Sequence, residues 1–164
     1  MNNIGIIGLG DMGSGLAKNL MANGFSVFGL DLKPERQAAF IDMGGTLVDD
    51  AADLGRRVDA AFVMVMNWDQ AKSAILGPDG LVETMEHGGV VILSATIKPH
   101  EAVEIGAAMQ GSSIYLIDTP VSGGFPGAQG GTLTMMAAAP DEVMVRARPV
   151  LEAVSASIHH VGTK

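Results

Sequence analysis

The chain of 164 residues contains no cysteine. Disulfides and thiolate metal sites are therefore excluded, and no metal is expected. Charged residues make up only 17% and aromatic residues 4%. Of the two signs the basic one is scarcer, 10 Lys and Arg against 18 Asp and Glu, giving a formal net charge of −8. A phosphate backbone repels such a chain, and no basic run in the sequence offsets this, so nucleic acid is not an expected partner. Long apolar runs are also missing, since none reaches the roughly 18 residues a membrane span requires. Met1-Asn2-Asn3 leads straight into an apolar run without a basic stretch or cleavage site. No secretory signal is read there, and the expected compartment is the cytoplasm.

Apolar residues make up 48% of the chain, and the mean hydropathy is +0.31. That balance suits one domain whose sheet is buried on both faces. Short apolar runs alternate with amphipathic segments. Strands are predicted at Ile4–Ile7, Ser26–Asp31, Thr46–Val48, Ala60–Met66, Val90–Leu93, Ile114–Ile117, Thr132–Ala137 and Ser157–His160. A helix over Met12–Asn23 carries Met12, Leu16, Ala17, Leu20 and Met21 on one face, with Gly24 as its stop. Others open at Pro34, near Pro99 and at Pro140-Asp141. Pro149 falls inside the last of these and is expected to kink or split it. Strand–helix alternation predicts an α/β fold: a Rossmann-like, doubly wound, mostly parallel sheet with helices on both faces.

Gly8-Leu9-Gly10-Asp11-Met12-Gly13 has the spacing GxGxxG between a strand and a helix. In that context the first glycine permits the tight turn, the second lets a pyrophosphate approach the backbone, and the third lets helix and sheet pack closely. The helix start adds free N–H groups and about half a positive charge. An acidic chain can hold an anionic dinucleotide by these backbone devices. Asp31 closes the second strand, where a carboxylate accepts hydrogen bonds from the adenosine ribose hydroxyls and repels a 2′-phosphate. NAD is the expected cofactor and NADP the second choice, because Lys33 and Arg36 stand ready for a 2′-phosphate if Asp31 turns away. Asp31 has a plainer reading too, as the cap of the turn before Pro34.

Asp118-Thr119-Pro120-Val121-Ser122-Gly123-Gly124 is a second glycine-bearing stretch, continuing through Gly127, Gly130 and Gly131. Two readings stand side by side: a nest of backbone N–H groups with the Ser122 hydroxyl, suited to a carboxylate, and a long surface loop. His87, His100, His159 and His160 lack paired carboxylates at metal-ligand spacing and read as solvated or locally bonded. The 11 methionines read as core filler.

The chain resembles the β-hydroxyacid dehydrogenase family, which includes 3-hydroxyisobutyrate dehydrogenase, tartronate semialdehyde reductase and the cofactor domain of 6-phosphogluconate dehydrogenase. The resemblance rests on the glycine turn, Asn19-Leu20, Asp31, Pro120-Val121-Ser122-Gly123-Gly124 and Gly131-Thr132-Leu133, in order. It implies that Ser122, Gly123 and Gly124 hold a substrate carboxylate. It also implies that Val65-Met66-Asn67 and Thr96 contact the cofactor beside Gly8, Leu9, Gly10, Asp11, Met12, Gly13 and Asp31. The substrate implied is a small 3-hydroxy acid or its semialdehyde. An NADPH-dependent glyoxylate or succinic semialdehyde reductase and a non-catalytic dinucleotide-binding module are the alternatives. The family's acid–base lysine belongs to an all-helical domain that also carries oligomer contacts. That domain is expected after Gly162-Thr163-Lys164, which reads as a strand exit; Lys164 itself lacks the glycines preceding the catalytic lysine. Two departures stand out: Thr119 where the family usually has alanine, and Leu93-Ser94-Ala95-Thr96 where it has Asp-x-Ser-Thr.

Overall fold

The structure, a computed structural model, describes residues 1–163. Lys164, to which no role was assigned, lies outside them. The first half runs β1 (Asn3–Ile7), α1 (Asp11–Ala22), β2 (Ser26–Leu30), α2 (Pro34–Asp42), β3 (Thr46–Leu47), α3 (Ala51–Arg57), β4 (Ala60–Val63), α4 (Trp68–Leu76) and α5 (Leu81–Thr84). The second half runs β5 (Val90–Leu93), α6 (Pro99–Ala108), β6 (Tyr115–Asp118), β7 (Val121–Ser122), α7 (Gly124–Gly130), β8 (Leu133–Ala138), α8 (Asp141–Val154) and β9 (Ser155–Gly162).

The sheet order is β3-β2-β1-β4-β5-β6-β8-β7, and β9 pairs with β8 off this path. Strands β1 to β6 are parallel; β8 runs antiparallel to β6 and β7 and parallel to β9. The order reverses between β1 and β4, the switch point at which open α/β sheets bind ligands beyond their carboxyl ends. Central strands β4 and β5 are buried at every position, as sheets covered on both faces require. Alternate residues serve two cores. Ile4, Ile6, Phe62 and Ile92 pack beneath α1 and α8, whereas Ala61, Val63, Val91 and Leu93 pack against α3, α4, α5 and α6. The mostly parallel, doubly wound architecture is thus the one the alternation predicts.

Three expectations are corrected. Strand β4 stops at Val63 rather than Met66, because its neighbour β1 ends at Ile7; Met64 still donates its N–H to the Ile7 carbonyl at 2.8 Å, and the chain then leaves the sheet. Pro149 does not split α8, which runs unbroken over 14 residues. Its ring lies on the exposed face, as does Val145 one turn earlier, so water can satisfy the carbonyl that proline leaves unpaired. The glycine-rich stretch after Ser122 is not a long surface loop. It coils into α7, closed by Gly131 in the left-handed region at φ +65°.

Candidate functional site

At the carboxyl end of β1 the chain turns at Gly8, whose φ of +96° favours glycine. A Cβ there would strike the Met64 carbonyl, and one on Gly13 would strike the Gly8 carbonyl. The fold itself therefore demands these two glycines. Gly10 differs. Its φ of −72° suits any residue, and the nearest group to an added Cβ is the flexible guanidinium of Arg36, 3.3 Å away. Gly10 caps α1 without a side-chain hydrogen bond, and the first intrahelical bond runs from the Ser14 N–H to its carbonyl at 2.8 Å. The N–H groups of Asp11, Met12 and Gly13 precede that bond and face out of the helix end, open to an anion.

Asp31, one residue past β2, sits against this turn with its side chain only 6% exposed. One carboxylate oxygen accepts the Leu9 N–H at 2.7 Å, and the other accepts the Lys33 N–H at 2.9 Å. The second bond is the turn cap of the plainer reading. It coexists with the contact to the glycine turn, so the two readings do not compete. The Arg36 guanidinium approaches Asp31 at 3.5 Å while lying over Gly10. These contacts use three of about four acceptor positions on the carboxylate, leaving one for a ribose hydroxyl.

Val65, Met66 and Asn67 lie beyond β4, and the Gly8 turn packs against the Met64–Val65 peptide. Gln70 holds this segment: its side-chain oxygen accepts the Met66 N–H at 3.0 Å while its own N–H donates to the Asn67 side chain at 3.0 Å. Met66 is 84% exposed at this end of the sheet. Thr96 is exposed in the segment between β5 and α6, at the same edge. The structure thus brings the glycine turn, Asp31, the Val65 segment and Thr96 to the carboxyl edge.

Ser122 pairs with Thr134 across β7 and β8, at the carboxyl side of β6, and Gly123 and Gly124 have φ of +133° and +58°. Helix α7, which they open, docks on α1 where Gly15 leaves room for Ala128: a Cβ on Gly15 would lie 2.6 Å from the Ala128 carbonyl carbon. The Asn19 amide donates to Ala128 O at 2.9 Å and Gln129 O at 3.1 Å, satisfying carbonyls at the end of α7. Gln129 reaches back to the Asp11 carbonyl at 3.4 Å. The two glycine motifs are therefore clamped together through α1.

The two departures from the family pattern meet at this edge. Register places Leu93 beside Asp118, so Ser94 and Thr119 follow on adjacent strands. Both hydroxyl oxygens are buried without a hydrogen-bond partner among the described residues. Burial also pushes the Asp118 carboxyl above the usual carboxylate range.

Sequence reasoning left several partners unassigned. Asn19 entered only as part of a resemblance, with no task. Gln70 carried no signal, and neither did Gln37, whose amide donates to the Asp31 carbonyl at 2.7 Å. His160, read as solvated or locally bonded, is bonded: it touches the Ala139 carbonyl at 2.7 Å and lies 3.6 Å from the Asp141 carboxylate.

The family model described as the NAD binding domain of 6-phosphogluconate dehydrogenase matches residues 3–162. L-threonate dehydrogenase of Cupriavidus necator is 38% identical over 160 residues, which are 98% of this chain and 54% of that protein. A crystal structure of 3-hydroxyisobutyrate dehydrogenase from Salmonella typhimurium superposes with a TM-score of 0.93 at 33% identity, covering 100% of this chain and 57% of that one. Psf3, solved in complex with NADP+ and 2-OPP, superposes at 0.91 with 30% identity over 97% of this chain and 56% of its own. The chain spans about half the length of the curated relatives it matches. With the fold, the glycine turn and the strand-end aspartate in place, the chain belongs to the β-hydroxyacid dehydrogenase family, as a nicotinamide-dinucleotide-binding domain of the 6-phosphogluconate dehydrogenase type.

Proposed function

We propose that this domain binds NAD in an enzyme that passes hydride between the nicotinamide and a small 3-hydroxy acid or its semialdehyde. The observation that carries the reading is Gly10. Of the three motif glycines it is the one the backbone does not need, so its missing side chain serves a ligand. The pyrophosphate would lie over Gly10 against the N–H groups of Asp11, Met12 and Gly13, and Asp31 would accept from the adenosine ribose. Val65, Met66, Asn67 and Thr96 would line the nicotinamide end, where the bound cofactor supplies the hydride carrier. Ser122, Gly123 and Gly124 would hold the substrate carboxylate.

The acid–base lysine implied by the resemblance belongs to a helical domain outside these residues, which would also form the oligomer contacts. The domain alone is expected to bind cofactor without turnover. A cytoplasmic location fits this reading.

Calorimetric titration tests it. Gly10→Ala should keep its midpoint of thermal unfolding while losing at least tenfold in dinucleotide affinity, whereas Gly8→Ala and Gly13→Ala should unfold more easily. Equal affinity in Gly10→Ala and the parent chain would falsify the placement. The competing choice of NADP has one observation in its favour, the Arg36 guanidinium over Gly10. On the NAD reading the parent prefers NAD and Asp31→Asn narrows that preference. If Arg36→Ala instead abolishes a preference for NADP, the second choice is the right one.

A further inference from the structure

At the opposite, amino edge of the sheet lies a cleft of about 480 Å3 that the dinucleotide reading does not use. Arg56, Arg57, Arg146, His87, Asp59 and Glu86 are on its walls. The sequence shows no basic patch, and the fold corrects that. It brings three of only ten Lys and Arg residues to one cleft, from positions about ninety apart in the chain, on a protein of net charge −8.

The arginines are partly pre-set. Arg146 donates to the Gly88 carbonyl at 2.7 Å, and its guanidinium stands 5.7 Å from the centre of the Tyr115 ring. Arg57 donates through Nε to Asp53 at 2.7 Å, which leaves its two Nη groups. Arg56 is exposed and has no ion-pair partner among the described residues. Of the two carboxylates, Asp59 is occupied within the fold, accepting the N–H groups of Asn2 at 2.6 Å and Asn3 at 3.0 Å. Asp59 keeps its negative charge under these bonds, so the walls carry two carboxylates against three guanidinium groups and His87. A planar guanidinium meets a phosphate or carboxylate through paired N–H donors, and a partly immobilised one loses less entropy in doing so.

We propose that this cleft binds a small polyanion bearing phosphate or carboxylate groups, at a site separate from the dinucleotide. The test is an amide NMR titration of the full chain with saturating NAD present, so that the glycine turn is already filled. Pyrophosphate forms one arm and citrate the other, with sodium chloride at matched ionic strength as the control. Saturable perturbations at Arg56–Asp59 and Glu86–Gly89 in either anion arm are expected, and the responding arm identifies the chemistry. Arg56→Gln, at an exposed position, should weaken the response at least fivefold while leaving NAD affinity unchanged. Perturbations confined to Gly8–Gly13, a response matched by chloride, or an unchanged response in Arg56→Gln would each overturn the proposal. Loss of NAD binding in the parent chain would instead count against the dinucleotide reading, and the titration repeated without NAD would still judge the cleft.

Discussion

At the scale of single residues, the glycine turn separates atoms that the fold requires from atoms it leaves open to a ligand. Asp11 is instructive because its N–H group and its carboxylate pull in opposite directions. The N–H joins the anion cradle, while the exposed carboxylate complements the end of α1 and repels a pyrophosphate. Asp11→Asn should therefore tighten dinucleotide binding about two- to fivefold, since a charge at a helix end is worth about 0.3–1 kcal/mol. The gain should shrink at high salt, and a titration at two ionic strengths checks both points. Thr119 poses a different question. Its buried hydroxyl has no partner among the described residues, and such a group costs about 1–3 kcal/mol. Thr119→Val keeps the shape and removes the oxygen, so the denaturation midpoint should rise. A fall of 1 kcal/mol or more would mean the hydroxyl is satisfied in solution by a partner of its own.

At the scale of elements, the junction of α1 and α7 is where a local sequence reading stopped short. The strands and α1 were legible because their apolar periods are strong and their ends carry glycine or proline. Helix α7 was not. Its seven residues, Gly-Phe-Pro-Gly-Ala-Gln-Gly, have poor helix propensity, and what makes them coil is the contact with α1. That contact depends on Gly15, Asn19 and Ala128, about 110 residues apart, so no local pattern reports it. The short helices α3, α4 and α5 escaped for a related reason, being too brief to show a period, although Asp50 and Asn67 cap α3 and α4 with side-chain hydrogen bonds. The candidate site was legible in its glycines and Asp31 and illegible in the amides of Asn19, Gln37 and Gln70 that hold those groups in place. Asn19→Ala leaves two carbonyls at the end of α7 unpaired and should cost about 1–3 kcal/mol in urea denaturation. If α7 forms on its own propensity instead, the loss will be negligible.

At the scale of the whole molecule, the two edges of the sheet differ in how completely their polar groups are satisfied. At the amino edge Asp59 accepts two backbone N–H groups, while at the carboxyl edge Asp118 is half-buried and the Ser94 and Thr119 hydroxyls are buried without a partner among the described residues. The difference has a consequence in pH. Burial raises the Asp59 carboxyl, but the hydrogen bonds from Asn3 and Asn2 and the positive N-terminus together outweigh it and leave the group below its ordinary value of 3.8. Its stabilisation is therefore present above pH 3.8 and is lost as the pH falls through the folded value. Asp118 behaves in the opposite sense. Burial lifts it above 3.8, so the folded chain keeps that proton to a higher pH than the unfolded chain does. Its favourable contribution is complete below 3.8 and disappears as the pH rises through the folded value, leaving a half-buried charge at neutral pH. Asp118→Asn should accordingly raise the thermal midpoint at pH 7 and leave it nearly unchanged at pH 3. Asp59→Asn should lower the midpoint at pH 7, with the difference closing as the solution is acidified. Midpoints followed across pH 2–8 separate the two, and curves for Asp118→Asn and the parent that stay parallel across this range would show that the carboxyl edge is better solvated than its burial implies.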